Sequence, residues 1–308
     1  AIGNRLLRRY AKAVGLQPNY SILDDEDQRD VLKICVTDAK VKVEEKRFPA
    51  PALLLDLISF GFNTQQPLDA VIPARAPHFI EWMEAIQQVA ARYEAKKRAA
   101  NALDYDDLLR FWRQLLVDHP DLAQRLGGQF RHVLVDEYQD TNAIQAEIVE
   151  RLVAHNGRNL MVVGDDAQSI YQFRGANYDN ILKFPERNPG TEIFKLEMNY
   201  RSTPEILDFT NASIAHNERQ YRKTLVAQRQ RGPMPVVLPV NDVYQEAAFV
   251  AERLLQLRDE GIPLEEMAVL YRAHAHSTIL QAELIRRNIP YEVRSGVRFF
   301  EQAHIKDV

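Results

Sequence analysis

At 308 residues the chain is long for one compact domain and comfortable for two or three, and its 46% apolar content can supply real cores. A net charge of −4 leaves any nucleic-acid contact to local clusters of positive charge, and a lone Cys35 excludes an intrachain disulfide and a thiolate metal site, as suits a reducing cytoplasm. No run approaches the ~20 apolar residues that span a bilayer, so no membrane partner is expected.

Leu6, Leu7, Tyr10, Ala13 and Val14 share one helical face with Arg5, Arg8, Arg9 and Lys12 elsewhere, which predicts an amphipathic helix over Ile2 to Val14. Gly15 to Ser21 breaks it. Asp24 to Asp27 supply acids for the first turn of a helix through Val31 to Val36. A further helix through Leu53, Leu54, Leu57, Ile58 and Phe60 is expected to stop at Gly61, and Pro67, Pro73 and Pro77 then mark a loop-rich passage. Phe79 to Ala100 is the longest helix expected. The region from about Pro18 to Leu103 reads as helical throughout, with no convincing strand. Asp104 opens the next helix, which puts Leu108, Leu109, Trp112, Leu115 and Leu116 on one face.

Strand patterns begin only after it. His132 to Val135 is short, apolar and β-branched, fits a strand covered on both faces, and runs into Asp136 and Glu137. Asn142 to His155 predicts a crossover helix capped by Asn142 with Gln145. Leu160 to Val163 runs into Gly164-Asp-Asp-Ala-Gln-Ser169, and Glu192 to Leu196 runs into Glu197-Met-Asn-Tyr-Arg-Ser202. An isolated Asp-Glu pair serves equally well as the acidic start of a helix. Three polar clusters on one carboxyl edge of a parallel sheet instead predict a nucleotide site, because ligands bind where such loops converge. There Asp136 can hold a hydrated magnesium ion, and Glu137 can take a proton from water.

Arg219, Arg222, Lys223, Arg229 and Arg231 crowd the next segment, opposed by Glu218. A solvated linker and a phosphate-tracking strip both fit them. Beyond Arg231-Gly-Pro233 a second α/β pattern follows: strands at Val236–Leu238, Met267–Tyr271 and Tyr291–Val293, helices at Tyr244–Leu257 and Ser277–Arg286. His274 and His276 lack a third ligand nearby and read as loop residues.

VDEYQDTN at 135–142, GDDAQSIYQFRGA at 164–176 and LEMNYRS at 196–202 together resemble the UvrD/Rep/PcrA-type superfamily 1 DNA helicases. DYDDLL at 104–109, AVLYR at 268–272 and FFEQAHIKDV at 299–308 are weaker signatures of the same group. The resemblance implies an α/β fold: a RecA-like P-loop NTPase motor domain with a helical inserted subdomain, followed by the start of a second RecA-like domain. On that layout 1–17 ends the first segment of motor domain one, 18–103 is the insertion, 104–220 completes the domain, and 221–308 starts the second. It also implies ATP and Mg²⁺ as ligands and 3′→5′ movement on single-stranded DNA. Unwinding at duplex/single-strand junctions follows, in repair or replication restart, with repair or replication proteins as partners.

Carried over by position, Asp136 binds Mg²⁺, Glu137 activates the attacking water and Gln168 senses the γ-phosphate. Tyr200 stacks on adenine and Arg201 reaches the γ-phosphate. Tyr171 and Phe173 stack on DNA bases, with Arg174 linking their loop to the nucleotide. The plainer alternative puts both rings in the core beneath the sheet. Departures from the family pattern are Phe173, where many relatives have Trp, Ala273-His-Ala-His276, and Gln302 and His304 in the last signature. No G-x-x-x-x-G-K-[ST] run occurs, so this chain alone is expected to be an internal fragment that does not hydrolyse ATP. Two other readings share the motifs in part: the helicase portion of a helicase-nuclease, and a non-catalytic DNA-binding clamp or scaffold.

Overall fold

The computed structural model describes residues 2–39 and 48–294. The FFEQAHIKDV signature, with Gln302 and His304, lies outside the described residues. The chain forms two compact units, one ending at Gln230 and one starting at Arg231.

In the first unit, α1 (Ile2–Tyr10) continues as a 3₁₀ turn to Val14, and β1 (Ser21–Ile22) follows. The helical region comprises α2 (Asp25–Asp38), α3 (Pro51–Thr64), α4 (Leu68–Arg75) and α5 (Met83–Ala99), and then β2 (Ala102–Leu103). Asp25, Glu26 and Asp27 fill the first turn of α2 as expected, and Asp24 before them caps it, accepting from the Glu26 and Asp27 amides at 2.9 Å. Leu32, Leu54, Leu57, Ile72, Ile86 and Val89 are fully buried together, so this region carries a core of its own. Full burial contributes ~1.5–3 kcal/mol for each such side chain.

Three expectations for this region are corrected. The α3 helix runs through Gly61 and ends at Gln65, which adopts the left-handed conformation at φ 57°. Gly61 serves packing, since a Cβ there would lie 2.9 Å from the Gln66 carbonyl oxygen. The proline-marked passage is largely helical: Pro67 at an N-cap and Pro77 at the start of a 3₁₀ turn occupy positions whose N–H has no helical partner in any case, and Pro73 lies inside α4, which ends two residues later. The region is also bounded by strand: β1 and β2 pair in parallel, Ser21 with Ala102 and Ile22 with Leu103.

After β2 come α6 (Tyr105–Asp118), α7 (Pro120–Gln129), which the sequence reading did not single out, and β3 (Val133–Val135). Then come α8 (Ala143–Val153) and β4 (Leu160–Val162). Leu7, Phe111 and Leu115 join α1 to α6, and Leu116, Leu126, Ile144 and Ile148 join α6, α7 and α8. The unit closes with α9 (Asp179–Leu182), α10 (Phe184–Arg187), β5 (Met198–Asn199), α11 (Pro204–Ile214) and β6 (Val226–Ala227).

The predicted three-strand edge is only partly formed among the described residues. β3 pairs with β4 in parallel, whereas residues 192–196 form no strand and β5 pairs instead with β6 in a separate ladder. An apolar run becomes a strand only where a neighbour takes its backbone N–H and C=O groups, and Phe194 and Leu196 are exposed without one. Nor is β3 covered on both faces. Tyr138, Ile181 and Phe184 pack under Val135, Leu160 and Val162, while Leu134 and Met161 on the other face are 70% and 57% exposed.

The second unit contains α12 (Val243–Asp259) and α13 (His274–Arg286), joined by Ala251, Leu284 and Ile289. The three strands expected here do not form, for the same want of a paired neighbour among the described residues. His274 and His276 lie in the first turn of α13, not in a loop.

A buried ionic network ties α5 to α6. Lys97, 3% exposed, sits 2.6 Å from Asp104, 2.8 Å from Asp107 and 2.8 Å from Glu94, and Tyr93 donates to Asp104 at 3.0 Å. Burial pulls the Lys97 ammonium down, but the three carboxylates outweigh it and hold it above its ordinary value. Beside this network Asp106 is half-buried, and burial pushes its carboxyl from 3.8 up to about 6 despite hydrogen bonds from Ser59 and Asn63. A carboxyl whose folded pKa is raised binds its proton more tightly when folded, so its contribution to stability falls as pH rises from about 4 through 6. Asp106→Asn should therefore be more stable than the parent at pH 8, by on the order of 1–3 kcal/mol. The difference should vanish below about pH 4. Urea denaturation at both pH values measures it, and equal stability at pH 8 would show that Asp106 ionises without penalty.

Candidate active site

Parallel register places Val135 beside Val162, so Asp136 and the Val163-Gly164 step leave the sheet at the same end. The ladder extends one step further, Val163 N–H donating to Val135 O at 2.8 Å and Tyr138 N–H to Val163 O at 3.0 Å. Between these bonds the chain turns sharply at Glu137, whose φ of 50° is left-handed and uncommon for a side chain without glycine's freedom. The Glu137 amide donates to Asp136 Oδ1 at 2.9 Å, which supports the turn. Tyr138 can then bury its ring edge-on against Phe184, 5.4 Å away, while Asp136 and Glu137 stay exposed.

The turn also buries Gln139, which is 1% exposed. Its Nε2 donates to Glu137 Oε2 at 2.7 Å and reaches Asp140 Oδ2 at 3.4 Å, and its Oε1 accepts the Asp165 amide at 3.0 Å. Its backbone carbonyl accepts Ser169 Oγ at 3.2 Å. Gln139 thus joins the Asp136–Glu137 loop to the 164–169 loop. Sequence reasoning passed over it, although it stands inside the VDEYQD run. Gly164 makes room for it, since a Cβ there would lie 2.5 Å from Gln139 Oε1.

On the second loop Gln168 is exposed and donates to Asp165 Oδ2 at 2.8 Å, with Lys223 on the other oxygen at 2.5 Å. Burial pushes the Asp165 carboxyl up, but Lys223 and Gln168 prevail and hold it below the usual range. Asp166 is buried and accepts the Tyr221 amide at 3.0 Å. The basic segment is therefore neither simple linker nor free strip. Lys223 pairs with Asp165, Arg219 pairs with Asp179, and Arg229 donates to the Arg201 carbonyl at 3.0 Å.

Tyr171 and Phe173 are 38% and 50% exposed with ring centroids 6.0 Å apart, so neither fills a core. The Arg174 guanidinium lies 5.3 Å and 5.4 Å from the two rings. Asn199 Oδ1 accepts the Arg201 and Ser202 amides at 3.0 and 2.8 Å, Tyr200 is 76% exposed, and among the described residues neither the Tyr200 nor the Arg201 side chain bonds to Asp136, Glu137 or Gln168.

Acidic residues that bear on metal binding lie in two places. Glu94, Asp104 and Asp107 place carboxylate oxygens within 4.8 Å of one another, yet Lys97 already supplies their cation. At the sheet edge Asp136 is exposed, and the buried Oδ1 of Asp140 has no hydrogen-bond partner. Burial, then the nearby Glu137, pushes the Asp140 carboxyl up, as befits an oxygen lacking a positive neighbour. Hard oxygen donors of this kind fit magnesium.

Residues 1–189 match the UvrD/REP helicase N-terminal domain and residues 194–308 the UvrD-like helicase C-terminal domain. The chain belongs to the UvrD/REP helicase family. It is 36% identical to the ATP-dependent DNA helicase PcrA of Leuconostoc citreum over all of its own length and 40% of that protein's. Against the ATP-dependent DNA helicase UvrD1 of Mycobacterium bovis it is 38% identical, over 99% of its own length and 40% of the relative's. DNA helicase II of Escherichia coli K12 is 34% identical over 99% of the chain and 41% of that enzyme. The chain thus spans about two fifths of the curated relatives it matches. Within this UvrD-family chain Asp136, Glu137, Gln168 and the aromatic pair fall in the N-terminal family domain, while Tyr200 and Arg201 fall in the C-terminal one. Among the described residues no helix is long and apolar enough to cross a membrane.

Gly164→Ala should displace the Gln139 amide and cost ~1–3 kcal/mol of stability through overpacking and lost hydrogen bonds. Gly128→Ala in α7, where a Cβ meets nothing within 4 Å, should be neutral or slightly stabilising. Chemical denaturation of both variants checks this, and equal behaviour would mean Gly164 is not holding the space open.

Proposed function

We propose that this chain carries the motor of an ATP-driven DNA helicase that moves 3′→5′ on single-stranded DNA and opens duplex/single-strand junctions in repair or replication restart. Its setting is the cytoplasm, with repair or replication proteins as partners. The observation that carries the reading is the Gln139 amide, which ties the loop of Asp136 and Glu137 to the loop of Gln168, Tyr171 and Phe173. A ligand-driven change at the carboxylates must therefore be felt by the exposed rings.

The fold proposed is RecA-like, with residues 18–103 inserted into the first motor domain and the second beginning beyond Gln220. In support, β1 and β2 pair across the ends of the helical region. The exposed apolar face of Leu134 and Met161 also suits strands that belong to a larger parallel sheet.

Asp136 would hold Mg²⁺, which when bound neutralises charge on the transferring phosphoryl group. Glu137 accepts the proton of the attacking water, and its carboxylate is oriented for this by the Gln139 amide. Gln168, now turned to Asp165, is the group free to reorient toward a γ-phosphate, with Arg201 reaching the γ-phosphate and Tyr200 stacking on adenine. Tyr171 and Phe173 offer π-faces to bases, with Arg174 between them. A binding-only scaffold needs no oriented base beside a magnesium site, and this favours the enzyme.

Two measurements on the protein from its complete open reading frame test the assignment. Glu137→Gln keeps the shape and should retain ATP binding while turnover falls ~10²–10⁴-fold. Loss of binding with normal turnover at saturating ATP would make Glu137 structural. Tyr171→Ala and Phe173→Ala should each weaken single-strand affinity by roughly one to two orders of magnitude, from a stacking contribution of ~1–3 kcal/mol per base. A collapse in melting temperature with unchanged affinity per folded molecule would return the rings to a structural role.

A further inference from the structure

A polar node at the end of α3 takes no part in the roles assigned above. Asn63 is 8% exposed. Its Nδ2 donates to Ser59 Oγ at 3.1 Å, one turn back, and to Asp106 Oδ1 at 3.2 Å in the first turn of α6. Its Oδ1 accepts Asn142 Nδ2 at 2.6 Å. A carboxylate on one side and an amide donor on the other fix which end of the Asn63 amide faces which way.

Asn142 is itself a cap. Its Oδ1 accepts the Gln145 amide at 2.8 Å at the start of α8, and its carbonyl accepts Asn180 Nδ2 at 3.2 Å. Asn63 therefore grips the segment that leaves the Asp136–Asp140 loop.

The same residue is the wall against which the aromatic loop turns. Gly175 has φ +91°, and a Cβ there would lie 2.6 Å from Asn63 Cβ and 3.5 Å from its carbonyl carbon. The Gly175 amide donates to Gln172 O at 2.9 Å, which closes the turn that displays Tyr171, Phe173 and Arg174. This contact has no slack. The backbone conformation suits glycine, the approach admits only glycine, and α3 belongs to a helical region with its own core. If α3 moves as part of that body, the Gly175 turn cannot remain where it was.

We propose that Asn63 is a positioning residue through which the helical region 18–103 sets the pose of the aromatic loop, so that displacement of α3 alters the grip on single-stranded DNA. The proposal rests on the reading of Tyr171 and Phe173 as base-stacking groups. Asn63 touches neither nucleotide nor base in this scheme and acts through Asn142 and Gly175.

The test uses the protein from its complete open reading frame, an oligothymidine probe, and three readouts: probe affinity, ATP hydrolysis without DNA, and melting temperature. Asn63→Ala keeps the Cβ that faces Gly175 and removes the amide bonds to Ser59, Asp106 and Asn142; it should weaken probe binding roughly five- to tenfold, part of one stacking contribution, while hydrolysis without DNA stays within about twofold. Because both changes act on one grip, Asn63→Ala with Phe173→Ala should lose less affinity than the product of the two single losses, the remaining effect passing through Tyr171. Gly175→Ala disturbs the other half of the node, placing a Cβ 2.6 Å from Asn63 Cβ, and should show the same non-additivity, which keeps the test usable if Asn63→Ala does not fold. Independent, multiplicative losses in the double variants would overturn the proposal, as would lower stability with unchanged affinity per folded molecule. If Phe173→Ala alone leaves affinity unchanged, the stacking reading is what fails and this inference falls with it, a pattern distinct from additivity.

Discussion

The carboxyl edge of β3 and β4 depends on one buried side-chain amide. Gln139 faces a carboxylate with its nitrogen and a backbone N–H with its oxygen, so its two ends cannot exchange without placing like against like. Losing either partner would leave a polar group stranded in a site that is 1% exposed, which costs ~1–3 kcal/mol. The two loops are consequently held as one object. Gly164 is the complementary half of the arrangement, because the space its missing side chain leaves is where the amide oxygen sits.

A second buried polar assembly stands where α5 returns to α6. Lys97 satisfies Glu94, Asp104 and Asp107 at once, and Asp104 also caps α6 by accepting the Asp107 amide at 2.8 Å. Buried ion pairs are weak evidence of net stability, since desolvation offsets the attraction. Their effect is on geometry: an ammonium with three fixed partners admits one arrangement of the two helices. Polar contacts thus fix the geometry at these two places, whereas apolar packing joins α1, α6, α7 and α8 elsewhere.

Much of this was legible in the sequence. Helix positions followed from apolar spacing and acidic caps, and the Asn142 cap with Gln145 formed as read. The carboxylate turn was found because β3 is short, apolar and ends abruptly in Asp136 and Glu137. What failed was inference from apolar runs alone. Residues 192–196, 236–238 and 267–271 have strand composition, but a strand is a property of two segments, and among the described residues they have no second one. Prolines misled at 67–77 because Pro67 and Pro77 sit at helix starts and Pro73 is accommodated inside α4. Gln139 and Asn63, and the pairing of Lys223 with Asp165, escaped notice for a common reason: each matters through a partner distant in sequence, as with Asn63 and Asn142, which lie 79 positions apart. No local pattern announces such a pair.

The two-residue ladder between Ser21–Ile22 and Ala102–Leu103 has a consequence for the history of the chain. It brings the ends of a long helical excursion side by side, so that the surrounding unit meets the excursion as if it were a short connection. Closure entropy grows only slowly with length, by ~0.6 kcal/mol per doubling. With its ends fastened and its own core enclosed, the excursion can be enlarged, trimmed or exchanged for another body while α1 still packs on α6 through Leu7 and Leu115. The contact that such an exchange must re-create is the one at the tip of α3, and this makes the terminus of a single helix the place where a grafted module would succeed or fail.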